Sequence, residues 1–192
     1  SELLLQPDHY LFRMLYSQGV RLEDLGIGNP DADPREAWRL FAERYHLFRG
    51  TPSRIWLDWV FAEVFGIDIR LDAETADHHF DVIAASLQQP AFRPRALFER
   101  YNIEALATTE SPLDPLDHHK AIRSSGWNGR VITAYRPDPV VDPEFEGFQG
   151  NLDAFSQLTG EDCRSWQGYL RAHRQRRAYL AGIGATSTDH GH

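Results

Sequence analysis

The chain has one cysteine, Cys163, among its 192 residues. No disulfide can form within it, which points to a reducing, cytoplasmic setting. Cys163 sits in a helical stretch, GEDCRSWQGYL, where a lone thiol serves as packing rather than as a nucleophile. No apolar run approaches the roughly 20 residues of a membrane span, so no membrane partner is expected. The opening segment, SELLLQPDHY, lacks the basic flank and cleavage site of a signal peptide and reads as the end of something cut short. Basic runs are scarce too, and the formal charge is −8. That balance excludes a phosphate-tracking surface, so nucleic acid is not an expected partner. The exception, RAHRQRR at 171–177, falls in a helical pattern and reads as a solvated helix face. No internal repeat and no low-complexity segment is present.

Aromatic residues are plentiful. At 12% of the chain, within a hydrophobic fraction of 42%, they are enough to build a real core. The first hundred residues read as helices. Asp8 is placed to cap HYLFRMLYSQ, with Gly19 ending it. Pro34 opens REAWRLFAERYHLF, where Trp38, Phe41, Tyr45 and Phe48 recur at helical spacing. Thr51 and Pro52 start the next helix, SRIWLDWVFAEVF, which is apolar on most faces and so is expected at the centre of a bundle. Another helix spans 72–89, and a short one 94–101.

The period changes near residue 103. Strands are predicted over about 103–109, 130–136 and 182–189, separated by helices over 117–125 and 162–180. Strands alternating with helices imply parallel βαβ units with right-handed crossovers. The expected fold is α/β, with a helical subdomain over 1–102 and a βα region over 103–192. Three units are too few for an eightfold barrel of about 250 residues, but they suffice for part of one.

In parallel α/β folds, ligands meet the C-terminal ends of the strands. The first strand delivers Thr108, Thr109 and Glu110 there, the second Arg136 and Asp138, and the third Asp189, His190 and His192. Arg136 has the planar fork that pairs with a carboxylate or phosphate, and a structural salt bridge to Asp138 or Glu110 is the equal alternative. Asp189 suits a general base, a metal ligand or a helix cap. His190 and His192 fall on one face of a strand and would need a further ligand to hold a metal. The pairs His78–His79 and His118–His119 point about 100° apart on helices and read as surface or cap residues. His9 and Tyr10 follow Asp8 at a helix start. They could carry protons, but Tyr10 reads first as a core aromatic.

Five segments in order resemble the uronate isomerases, the glucuronate isomerase family of the amidohydrolase superfamily. They are Asp8-His9-Tyr10 with Phe12-Arg13, HLFRGTPSRIWLDWVFAEVFGI, ALATTESPLDPLDHHKAI, TAYRPD and GATSTDHGH. The resemblance covers essentially the whole chain. It implies a distorted TIM barrel with a large helical insertion after its first strand, the three strands here being barrel strands two to four. It also implies interconversion of aldouronates and ketouronates, glucuronate with fructuronate and galacturonate with tagaturonate. His9, Tyr10 and Asp189 would be catalytic, and Arg136 and Thr109 would bind the hexuronate. The family's divalent metal, zinc by resemblance, would take ligands from the first and last strands. This chain starts after the one and stops before the other, so it contributes no metal ligand. The His190-Gly191-His192 triplet belongs to the fourth strand and is not that motif. The chain is then expected to be a fragment, inactive alone, of a cytoplasmic homo-oligomer. Two alternatives stay open: a metal-dependent hydrolase of the same superfamily, and a non-enzymatic helical assembly module.

Overall fold

The computed structural model describes residues 2–191 and divides into two compact units, Ser1–Ala96 and Leu97–His192. The first is helical among its described residues. Helix α1 (His9–Ser17) is capped by Asp8, whose carboxylate accepts from the N–H groups of Tyr10 and Leu11 at 2.9 and 3.4 Å. Helix α2 (Pro34–Glu43) starts from an Asp33 cap with proline in its first turn, as the sequence suggests. A 3₁₀ turn over Tyr45–Phe48 follows it. Trp38, Phe41, Tyr45 and Phe48 all lie in the core, with ring centroids of Phe41 and its neighbours 5.3–5.6 Å apart. Thr51 caps α3 (Pro52–Trp59), accepting from Arg54 N–H at 3.2 Å. The chain then widens into a π turn over Val60–Val64.

The expectation of a central α3 is corrected. Leu57, Val60 and Phe61 are buried, but Ile55 is 72% exposed and Trp56 and Trp59 are each 49% exposed. Apolar residues surround this helix, yet only one stripe of it has core to face. The helix predicted over 72–89 starts later, as α4 (Ala76–Leu87), because the Asp72 carboxylate folds back onto the N–H groups of Glu74 and Thr75. Trp38 Nε1 donates to Ala76 O at 2.9 Å and ties α2 to α4. His79, expected at the surface, is fully buried, with its ring edge-on to Phe61. Its Nδ1 lies 3.0 Å from Thr75 O, which is how a helical histidine becomes part of a core. Helix α5 (Pro94–Arg100) crosses the boundary between the units.

The second unit holds β1 (Leu106–Glu110), α6 (Asp117–Ser124) and β2 (Val131–Tyr135). The two strands pair in parallel, from Leu106 opposite Val131 to Glu110 opposite Tyr135. Then come α7 (Asp138–Val141), α8 (Phe148–Thr159) and α9 (Trp166–Gly182). This is an α/β arrangement. The third strand predicted over 182–189 is corrected to a single parallel bridge, Tyr135 with Thr188. Helix α9 runs on through Gly182, and Gly184 turns the chain at φ +102°. The reading of 171–177 as a solvated face holds for Arg171, Arg174 and Arg177, which are exposed, and is corrected for Ala172 and Arg176, which are buried in a stripe with Leu180. Among the described residues, no helix is long and apolar enough to cross a membrane.

Candidate active site

Side chains alternate across a strand, and here the alternation sorts the rim. Thr108, Glu110 and Tyr135 point to the helix layer. Thr108 Oγ1 meets Nε2 of the buried His119 at 2.9 Å, and Glu110 lies 3.9 Å from the same nitrogen. The Tyr135 hydroxyl meets His173 Nδ1 at 2.6 Å. Burial holds the Tyr135 pKa above the usual tyrosine value and the His173 pKa below the usual histidine value. Thr109 and Arg136 take the opposite face, and the Thr188 bridge puts Asp189 there as well. Of the three residues predicted at the end of the first strand, only Thr109, which is exposed, therefore faces the Arg136 side. His119 corrects the surface reading of the His118–His119 pair, because helical spacing brings it back over Thr108.

Three charged groups form the centre of this face. Arg136 Nε donates to Asp138 Oδ2 at 2.6 Å, and Arg136 Nη1 donates to Asp189 Oδ2 at 3.1 Å. Asp138 Oδ1 accepts from the Gly191 N–H at 2.9 Å. The backbone continues the sheet pattern to bring them together: Arg136 N–H donates to Glu110 O at 2.9 Å and Asp189 N–H to Tyr135 O at 3.0 Å. Asp138 and Asp189 hold the guanidinium pKa above its usual value, Asp138 most strongly. Arg136 in turn lowers the Asp138 pKa below the usual carboxylate range, against the effect of partial burial and with help from Gly191 N–H and His190. An open cleft of about 700 Å³ lies beside the group, lined by Arg136, Asp138, Asp142, Glu144, Phe145 and His190 among others. Its carboxylates outnumber its cations, so Arg136 is shared between two acids before any ligand arrives. Asp138 is the residue that sequence reasoning undervalued, as merely a possible salt-bridge partner. Its visible sign was its place at the end of the second strand, between Pro137 and Pro139.

His9 and Tyr10 belong to the first unit. Tyr10 is 69% exposed, which corrects its reading as a core aromatic, and its ring lies 4.3 Å from that of His9. Leu11 and Leu15 carry the buried face of α1 instead. His192 lies outside the described residues. Among the described residues, no three His, Cys, Asp or Glu side chains gather to hold a metal ion, so the groups present do not fit a metal centre by themselves.

The glucuronate isomerase family profile matches residues 1–192. The chain is 70% identical to a uronate isomerase of Sphingopyxis alaskensis, over 100% of this chain and 42% of that protein. It is 71% identical to a uronate isomerase of Rhizorhabdus wittichii, covering 41% of it. The chain thus spans about two fifths of the length of the curated relatives it matches. The crystal structure of glucuronate isomerase from Caulobacter crescentus superposes with a TM-score of 0.94 at 58% identity, over 99% of this chain and 40% of that one. Uronate isomerase from Thermotoga maritima shares the fold, with a TM-score of 0.86 at 24% identity, over 98% of this chain and 41% of that one. On this evidence the chain belongs to the glucuronate isomerase family.

Proposed function

We propose that this chain is part of a uronate isomerase, and that its Arg136–Asp189 pair belongs to the reacting site. The observation that carries the reading is the Asp189 carboxylate, held 3.1 Å from Arg136 Nη1 at the C-terminal rim of a parallel sheet. The two strands and the Thr188 bridge are read as part of a distorted TIM barrel, and residues 1–102 as its helical insertion. Aldose–ketose isomerisation removes a proton from C2 and returns one to C1, while a hydroxyl proton moves from O2 to O1. Asp189 is the base that takes and returns the carbon proton. His9 and Tyr10 are the candidate carriers of the hydroxyl proton. Thr109 and the remaining N–H groups of Arg136 contact the hexuronate, D-glucuronate or D-galacturonate. A divalent metal, zinc by family resemblance, would polarise substrate oxygens when bound. The described residues do not assemble its ligands. A cytoplasmic homo-oligomer completes the reading.

The test is conversion of D-glucuronate by the full-length protein in deuterated water, followed by proton NMR. The expected result is D-fructuronate, with solvent deuterium at C1 wherever the carbon proton exchanges during turnover. Absence of ketouronate from both glucuronate and galacturonate would overturn the proposal. Hydrolysis of an ester or amide substrate in its place would move the protein to the hydrolase reading.

A further inference from the structure

We infer that Asp138 is a positioning residue of this rim, fixing both the guanidinium of Arg136 and the turn that carries Asp189. The inference deepens the isomerase reading and rests on it for its kinetic consequences. Both carboxylate oxygens are committed. Oδ2 accepts from Arg136 Nε at 2.6 Å and Oδ1 from Gly191 N–H at 2.9 Å. The Asp138 side chain is 14% exposed, against 44% for both Arg136 and Asp189, so the most enclosed of the three acids and bases is the one in the middle.

Its own backbone is unusually well held. Pro137 and Pro139 fix φ on either side. Val140 N–H donates to Pro137 O at 2.9 Å, and the Val140 side chain is fully buried. Tyr169 Oη–H donates to Val140 O at 2.8 Å, and Asn151 Nδ2 donates to Pro139 O at 3.0 Å. The carboxylate is thus preorganised from the scaffold side, and Arg136 and Gly191 are set against it. Pinning Nε sets the plane of the Arg136 fork, which turns Nη1 toward Asp189. Tying down Gly191 closes the segment behind Asp189, whose own N–H is already bonded to Tyr135 O at 3.0 Å. Asp189 is therefore tethered on both sides while its side chain stays accessible.

Asp138 also competes with Asp189 for one guanidinium. The charged and titratable groups facing Asp138 are Arg136 and His190, and Asp142 and Glu144 line the same cleft. Asn at 138 keeps an acceptor oxygen but removes the competing charge. Arg136 then pairs with Asp189 alone.

The experiment uses D138N and D138A in the full-length protein, with two readouts. The first is amide exchange of Gly191, expected to quicken about tenfold or more in D138A once its charged acceptor is gone. The second is kcat and KM of glucuronate isomerisation. D138A should lower kcat about tenfold or more with a smaller change in KM, as expected of a misplaced base. D138N, which keeps one acceptor oxygen, should recover part of the kcat lost in D138A, a rescue that a residue acting only through fold stability would not give. Gly191 exchange within twofold of the parent in D138A, or in D138N should D138A not fold, overturns the proposal. So does a kcat in D138A within twofold of the parent. If the parent fails to isomerise uronates, the isomerase reading fails, while Gly191 exchange still decides the positioning role.

Discussion

Arg176→Met is the substitution whose effect the structure fixes most closely. Arg176 is a buried cation on α9, and its fork reaches across to the loop after β1. Nε donates to Pro112 O at 2.7 Å and Nη2 to Asp114 O at 2.8 Å, while the guanidinium lies 4.1 Å from the Tyr179 ring centroid. Tyr179 Oη–H donates to Pro115 O at 2.7 Å, so the same helix holds the carbonyls of Pro112, Asp114 and Pro115 along the loop. That support matters because Leu116, next in line, adopts φ +58°, the left-handed region that a branched side chain rarely enters. Methionine keeps the apolar stem of the side chain but donates nothing. Each charged hydrogen bond contributes about 1.5–3 kcal/mol. Part of that is offset because a desolvated cation is also removed, an effect visible as burial pulling the Arg176 pKa below its usual value. The net loss is about 2–4 kcal/mol, or roughly 30- to 900-fold in a local opening equilibrium. Hydrogen exchange over residues 111–116 in the full-length protein measures it directly. Arg176→Lys, a single point donor, should recover about half of the loss. If Arg176→Met exchanges within threefold of the parent, the fork is not the clamp on this loop.

Two further outcomes follow from the buried histidines and the second core. Burial holds His79 and His173 below their usual pKa, so each stays neutral in the folded state where the unfolded chain would take up a proton. Stability is therefore whole above about pH 6.5 and falls as pH drops below it, by at most about 1.4 kcal/mol per pH unit for each histidine. His79→Phe should flatten that acid branch in urea unfolding between pH 7.5 and 5.5, and equal slopes for parent and variant would contradict it. Phe155, fully buried and 5.0 Å from the His173 ring centroid, anchors the cluster of Val140, Cys163 and Ala172. Phe155→Ala should destabilise the second unit by about 3–5 kcal/mol in the same assay, and a loss under 1 kcal/mol would show that the site collapses around the gap.

Helix starts and the aromatic core were legible because the signals are local. Asp8, Asp33 and Thr51 cap where their side chains can reach their own backbone, and the spacing of Trp38, Phe41, Tyr45 and Phe48 put one face inside. The parallel pairing of β1 and β2 followed from alternating periods. Misreadings arose where a partner distant in sequence decides the outcome. His79 and His119 look like surface histidines until Phe61 and Thr108 are placed against them. Arg176 hides in a basic run because its acceptors lie more than 60 residues away. The same holds at the rim. Strand ends indicated Arg136, Asp138 and Asp189, but not that the Asp138 carboxylate ties Arg136 to the segment carrying Asp189 through Gly191, 53 residues on.

The most direct test of the reacting site is Asp189→Asn in the full-length protein, with glucuronate isomerisation and thermal unfolding measured side by side. Asparagine keeps the size and an acceptor for Arg136 Nη1 but cannot take a proton from carbon. A fall in kcat of about 10²–10⁴-fold with the melting temperature unchanged is the predicted result. Turnover within a few-fold of the parent would contradict the assignment of Asp189 as the base.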